Sequence, residues 1–269
     1  MLPVLHVFGG AVQTYYVCAA LAALAGFLLA WLRLRRILPG VQAWLVPLAM
    51  LLLGLIGARG LNVLTNPEAY EHFSPWTIRY TKLSLMGGLG LGAAGLLLYC
   101  AASRRAPGPV LDAFVLPSAA GIVLLKIGCF CNGCCFGKPT EEPFGVIFPA
   151  NAVKYAFLES LPLVKPASRV VHPTQLYEIA GALAALGLSE LLGRLFRLRP
   201  GGRAAVFAGG FCLARLAVLP LRVLPYPEPV KRIFYPALYL AVAAACTIFA
   251  ILSARRGQAK SPAGEETNG

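Results

Sequence analysis

The chain has 269 residues, 58% of them hydrophobic and 13% charged, with a formal net charge of +13. Soluble domains carry about 25% charged residues, so an ordinary soluble fold is excluded. No basic stretch carries the interleaved aromatics of a nucleic-acid surface, so no nucleic acid is expected as partner. The positive balance suits anionic lipid headgroups instead.

A bilayer core of about 30 Å takes roughly 20 apolar residues per helix. Blocks of that kind recur near 12–32, 43–64, 83–102, 110–131, 174–198, 204–224 and 234–253. Seven such blocks predict an all-α polytopic membrane protein. The first lacks the basic start and small-residue cleavage site of a signal peptide, so it is expected to be retained. The loop 132–171 is rich in Pro and aromatics and includes the strand-like "PFGVIFP". A loop of about 40 residues is long enough for structure of its own, and an extracytoplasmic cap is expected there. Residues 1–253 then form one transmembrane domain, and the polar, Gly- and Pro-containing 254–269 a disordered cytoplasmic tail. No internal repeat is visible, which counts against transporter folds built from inverted halves.

Lys and Arg between spans set the orientation. One side holds Arg33, Arg35, Arg36, Arg104, Arg105, Arg194, Arg197, Arg199, Arg203, Arg255, Arg256 and Lys260. The other holds Arg79, Lys82, Lys138, Lys154, Lys165, Arg169, Lys231 and Arg232, several of them in the long loop that the rule discounts. The N-terminus is therefore expected outside and the C-terminus in the cytoplasm.

Ionisable groups inside spans are costly and mark function by default. Arg59, Lys126 and Arg222 fall near the outer ends of their spans, and Arg215 nearer mid-depth. Span five enters from outside with "HPTQLYE", bringing Gln175, Tyr177 and Glu178 to the same level, and span one adds Gln13, Tyr15 and Tyr16. Lone cations near helix ends often only reach for the interface. Several spans converging at one depth, with a carboxylate among the cations, predict a shared polar cavity at the outer leaflet.

"KIGCFCNGCCFGKP" (126–139) gathers Cys129, Cys131, Cys134 and Cys135. Its C-x-x-C resembles half a zinc site, but His6, His72 and His172 are scattered and complete no pattern. A disulfide, free or packing thiols, and a metal all remain open; no metal ligand and no cofactor is assigned. Cys18, Cys100, Cys212 and Cys246 lie in spans and read as small apolar residues.

Three separated segments resemble the bacterial prolipoprotein diacylglyceryl transferase family. Its signature G-R-I-G-N-F-I-N-G-E-x-x-G is echoed by Ile127, Gly128, Phe130, Asn132, Gly133 and Gly137; its H-P-[ST]-Q-L-Y-E stands as His172 to Glu178; its G-A-R matches Gly57, Ala58 and Arg59. The family aspartate fourteen residues before the signature arginine has a counterpart in Asp112. Departures are clear as well: the arginine is Lys126, the first signature Asn is Cys129, the Glu is Cys134, the helix-three His is Met86, and Leu219 replaces a late acid.

The resemblance implies an enzyme of the bacterial inner membrane that moves a diacylglyceryl group from phosphatidylglycerol to the lipobox cysteine in the signal peptide of a prolipoprotein. It implies catalytic roles for Lys126 and Arg222 on the phosphate and for Glu178 as proton acceptor, whose bland alternative is an ion pair with Arg59 or Lys126. Substrate contacts would come from Tyr15, Arg59, Asn132, Gly137, His172, Gln175, Tyr177 and Arg215. The alternative reading is a non-catalytic relative that binds anionic lipid and uses its cysteines structurally or for redox chemistry.

Overall fold

The computed structural model describes residues 4–7, 10–67, 83–148, 170–224 and 226–258. The middle of the expected cap (149–169) and most of the expected tail (259–269) lie outside the described residues.

A two-stranded antiparallel hairpin, β1 (Val4–Val7) and β2 (Gly10–Gln13), leads directly into α1 (Thr14–Leu34). Gln13, expected inside the first span, is thus the last strand residue. Then follow α2 (Gln42–Thr65), α3 (Leu85–Ala102), the short α4 (Pro107–Ala113) and α5 (Val115–Asn132). The last three are α6 (Thr174–Leu195), α7 (Gly202–Val218), closed by a 3-10 turn at Leu219–Leu221, and α8 (Tyr235–Gln258), entered through a π turn at Val230–Phe234. Counting α4 with α5, seven helical segments among the described residues are long and apolar enough to cross a membrane, so the protein is an all-α polytopic membrane protein. The last helix runs to Gln258, past the boundary expected at 253.

The helices pack as a chain of pairs, α2 on α3, α1 on α5, α5 on α6, α6 on α7 and α7 on α8. Large apolar side chains such as Leu55, Leu98, Leu195 and Ile248 point outward. That costs nothing in hydrocarbon, so close packing rather than burial of apolar area decides the helix contacts. Gly57 and Gly87 illustrate it: a Cβ on either would run into the other's carbonyl oxygen. Gly88 is also close to α2, whereas Gly90 faces open space, so only part of the glycine run serves packing.

Seven alternating spans bring the starts of α1, α3, α6 and α8 and the ends of α2, α5 and α7 to one end of the bundle. At the opposite end Asp112 accepts hydrogen bonds from the backbone N–H groups of Gly201 (2.8 Å) and Ala204 (2.9 Å). It caps the N-terminus of α7, where a carboxylate also meets the positive end of the helix dipole.

Candidate active site

The site is built on α5, α6 and α7. On α6 the buried residues Thr174, Gln175, Glu178, Ala182, Ala185 and Ser189 recur at helical spacing, so one stripe faces the bundle. Its first two turns are polar. Glu178, within the second turn, meets Lys126 of α5 (Nζ–Oε2 2.5 Å), Arg215 of α7 (Nη1–Oε2 2.6 Å) and Arg222 (Nη1–Oε1 2.9 Å). All four side chains are at most 10% exposed. A buried carboxylate loses several kcal/mol of hydration, which only close, multiple partners offset. Among the described residues one anion faces three cations here, leaving two positive charges in excess.

The cations are held from behind. Arg215 donates from Nη2 to the Tyr239 hydroxyl (3.1 Å), with its guanidinium 5.7 Å from the centre of that ring. Arg222 follows the 3-10 turn in extended conformation, and its backbone bridges Gly137. That strap of chain after α5 is laced on both sides: the Gly137 N–H donates to His172 O (2.8 Å) and the Lys138 N–H to Leu221 O (2.7 Å). Only glycine fits at 137, because a Cβ would lie 2.6 Å from Leu221 O and 2.7 Å from His172 Cβ. The helix α5 itself ends on Gly133 at φ 72°, a left-handed cap.

Gln175 and Thr174 turn their side chains to the chain after α5. Gln175 donates from Nε2 to Cys134 O (2.6 Å), and the Thr174 hydroxyl donates to Cys135 O (2.6 Å). They fix the cysteine turn against α6. Cys135 adopts φ 62°, uncommon for a side chain with a Cβ. All eight cysteines are free thiols, and the sulfurs of Cys129, Cys134 and Cys135 lie within 4.8 Å of one another. The sequence assigned no metal ligand; the fold brings three thiols together. Cys129 is three residues from Lys126 on α5, hence on the same helix face.

The remaining expected residues divide. Tyr15 is buried beside the cysteine cluster. Asn132 is wholly buried, and neither polar atom of its carboxamide has a nitrogen or oxygen partner among the described residues. His172 Nδ1 lies 3.2 Å from the Tyr177 hydroxyl, which ties the two together beyond the carboxylate. Arg59 is half-buried on α2 and is not among the cations that pair with Glu178. Met86 and Leu219, at the family's histidine and acid positions, pack in apolar clusters. Two partners went unnoticed in the sequence: Tyr239, and Tyr226, whose hydroxyl accepts from Asn62 Nδ2 at 3.1 Å. Burial, with Tyr235 adding to it, pushes the Tyr226 phenol above its ordinary range. A tyrosine inside an apolar span was the available signal for Tyr239. "HFSPWTIRYTK" (72–82) and its two cations lie outside the described residues.

Fold and site define an integral membrane protein with a buried, cation-rich cluster around one carboxylate at one end of the bundle. A family model described as prolipoprotein diacylglyceryl transferase matches residues 3–255. The chain belongs to that family. It is 27% identical over 208 residues to the phosphatidylglycerol–prolipoprotein diacylglyceryl transferase of Mycobacteroides abscessus, covering 71% of this chain and 57% of that one. It is 28% identical over 243 residues to the Streptomyces coelicolor protein of that name numbered 2 (82% and 69%), and 31% over 144 residues to the Clostridium tetani protein (51% and 51%). The match thus spans little more than half the length of two of these relatives.

Proposed function

We propose that the protein transfers the diacylglyceryl group of phosphatidylglycerol, or a related anionic phospholipid, to the lipobox cysteine of prolipoprotein signal peptides at the outer leaflet of the bacterial inner membrane. The observation that carries this reading is the excess of positive charge around Glu178. Buried charge without a counter-ion is unstable, and a phosphodiester is an anion that arrives from the membrane itself. The asymmetry of Lys and Arg between spans supports an outward-facing site, as does the family to which the chain belongs.

In the proposed reaction the lipobox thiolate attacks the glycerol carbon bearing the phosphate ester. The carbon–sulfur bond forms, the carbon–oxygen bond breaks, and the electron pair leaves with glycerol phosphate. Lys126 and Arg222 hold the phosphate and stabilise the charge that grows on it. Arg215, anchored by Tyr239, keeps Glu178 in place. Glu178 is a poor proton acceptor while three cations engage it. Once the phosphate draws Lys126 and Arg222 away, its Oε1 is released to take the thiol proton. Gln175 and Gly137 shape the turn against which the headgroup rests; Asn132, His172, Tyr177, Tyr15 and Arg59 are proposed headgroup or peptide contacts. The outward placement of the 132–171 loop and the cytoplasmic placement of the C-terminal end remain part of this proposal.

The test is complementation of a strain depleted of its own transferase, paired with lipidation of a lipobox peptide by purified protein in phosphatidylglycerol vesicles. Growth and a peptide mass increase by one diacylglyceryl group are expected. Failure of both by folded, membrane-inserted protein would refute the assignment.

A further inference from the structure

We propose that Cys129, Cys134 and Cys135 form a three-thiolate site for a thiophilic d10 cation, Zn2+ or Cu(I), set beside the anion site. The proposal does not depend on the transferase reading, because it concerns what the thiols bind.

The geometry comes first. The three sulfurs lie within 4.8 Å of one another. A metal–sulfur bond of about 2.3 Å requires sulfur–sulfur edges of about 4.0 Å in a trigonal plane and about 3.8 Å at three corners of a tetrahedron. Contraction by about 1 Å at most closes either. The backbone is already set for it. Cys134 N–H donates to Cys129 O at 3.0 Å, and the carbonyls of Cys134 and Cys135 are tied to Gln175 and Thr174. Cys135 sits in the left-handed region, a conformation that turns its side chain back toward the other two and that persists only where neighbours enforce it.

A second observation points the same way. Asn132 lies in the same turn, 0% exposed; neither Nδ2 nor Oδ1 has a nitrogen or oxygen partner among the described residues, and the group its side chain reaches is the Cys134 thiol. A carboxamide buried without such partners is costly. Its N–H can donate to a thiolate, and its oxygen can complete a tetrahedral shell. The electrostatics also suit an anionic metal–thiolate group. Lys126 and Arg222 act on Cys135, and the cluster around Glu178 has two positive charges in excess. Three thiolates around Cu(I) carry two negative charges, and around Zn2+ one. Binding would release the thiol protons to solvent. Soft thiolate donors select these ions over Mg2+ or Ca2+.

The experiment uses the full-length, reduced, metal-free protein in lipid nanodiscs. Zn2+ and Cu(I) are titrated in separate arms against a chromophoric competitor, Cu(I) under anaerobic conditions. One ion per chain is expected in at least one arm, with a sulfur-dominated shell by X-ray absorption. Cys134→Ser and Cys135→Ser should each weaken binding at least tenfold, and Cys131→Ser should not. An assay independent of variant folding is alkylation of the unmutated chain. Bound metal should protect Cys129, Cys134 and Cys135 but leave Cys131 reactive. The arm that binds identifies the ion. Absence of stoichiometric binding in both arms, binding that survives Cys135→Ser, or alkylation unaffected by metal would each overturn the proposal.

Discussion

Replacing Glu178 by Gln keeps the shape of the side chain and removes its charge. Lys126, Arg215 and Arg222 then face one another across a space from which solvent is nearly excluded, since Glu178 is 1% exposed and the three cations 8–10%. Breaking one buried ion pair from one side costs about 3–5 kcal/mol. Glu178 answers three cations at 2.5 to 2.9 Å, so the upper end, about 5 kcal/mol, is expected. At about 2–4 °C per kcal/mol for a chain of this size, the unfolding midpoint in detergent should fall by about 10–20 °C. Two further measurements separate charge from packing. Lys126→Met added to Glu178→Gln should recover part of the loss, because the remaining repulsion is smaller. Phosphatidylglycerol should raise the midpoint of Glu178→Gln more than that of the unmutated protein, because the lipid supplies the missing anion. A Glu178→Gln variant within about 2 °C of the unmutated protein, or one that phosphatidylglycerol does not favour, would refute the account of the ion cluster.

Gly137→Ala should destabilise by about 1–3 kcal/mol through overpacking, because its Cβ has no room between Leu221 O, His172 and Thr174. Lipid transfer should fall with it, as the same strap carries the backbone of Arg222; thermal unfolding and peptide lipidation check both. Asp112→Asn should cost about 0.5–2 kcal/mol of cap stability and leave the KM for phosphatidylglycerol unchanged, since Asp112 caps α7 at the opposite end of the bundle. A large KM effect would contradict that placement.

The seven spans were legible because length and apolarity are local properties, and their observed bounds lie within a few residues of those read from the chain. That Lys126, Glu178 and Arg222 lie at one level was legible for the same reason, since depth follows from position along a span; Arg215, read as nearer mid-depth, joins them on Glu178. What the sequence left open was pairing. Arg59 and Lys126 were equal candidates for Glu178, and only helix order places α5 and α7 against α6. The hairpin before α1 was missed: β1 lies ahead of the first apolar block and went unassigned, and the last residues of β2 were read as the start of the span. The use of Gln175 and Thr174 on the carbonyls of the cysteine turn was hidden as well, since it depends on residues about 40 positions away in sequence. Asp112 matched the family pattern in spacing, and its function as a helix cap emerged only from its distance to Gly201 and Ala204.

The central claim is that the buried cations hold a lipid phosphate whose ester is cleaved, and Lys126 tests it most directly. Lys126 supplies a point charge where the family pattern has an arginine, so charge is kept and only the planar fork is lost. Lipidation of a lipobox peptide from phosphatidylglycerol should therefore be abolished in Lys126→Ala and kept or raised in Lys126→Arg, with both variants folded by gel filtration. Transfer retained in Lys126→Ala would contradict the account.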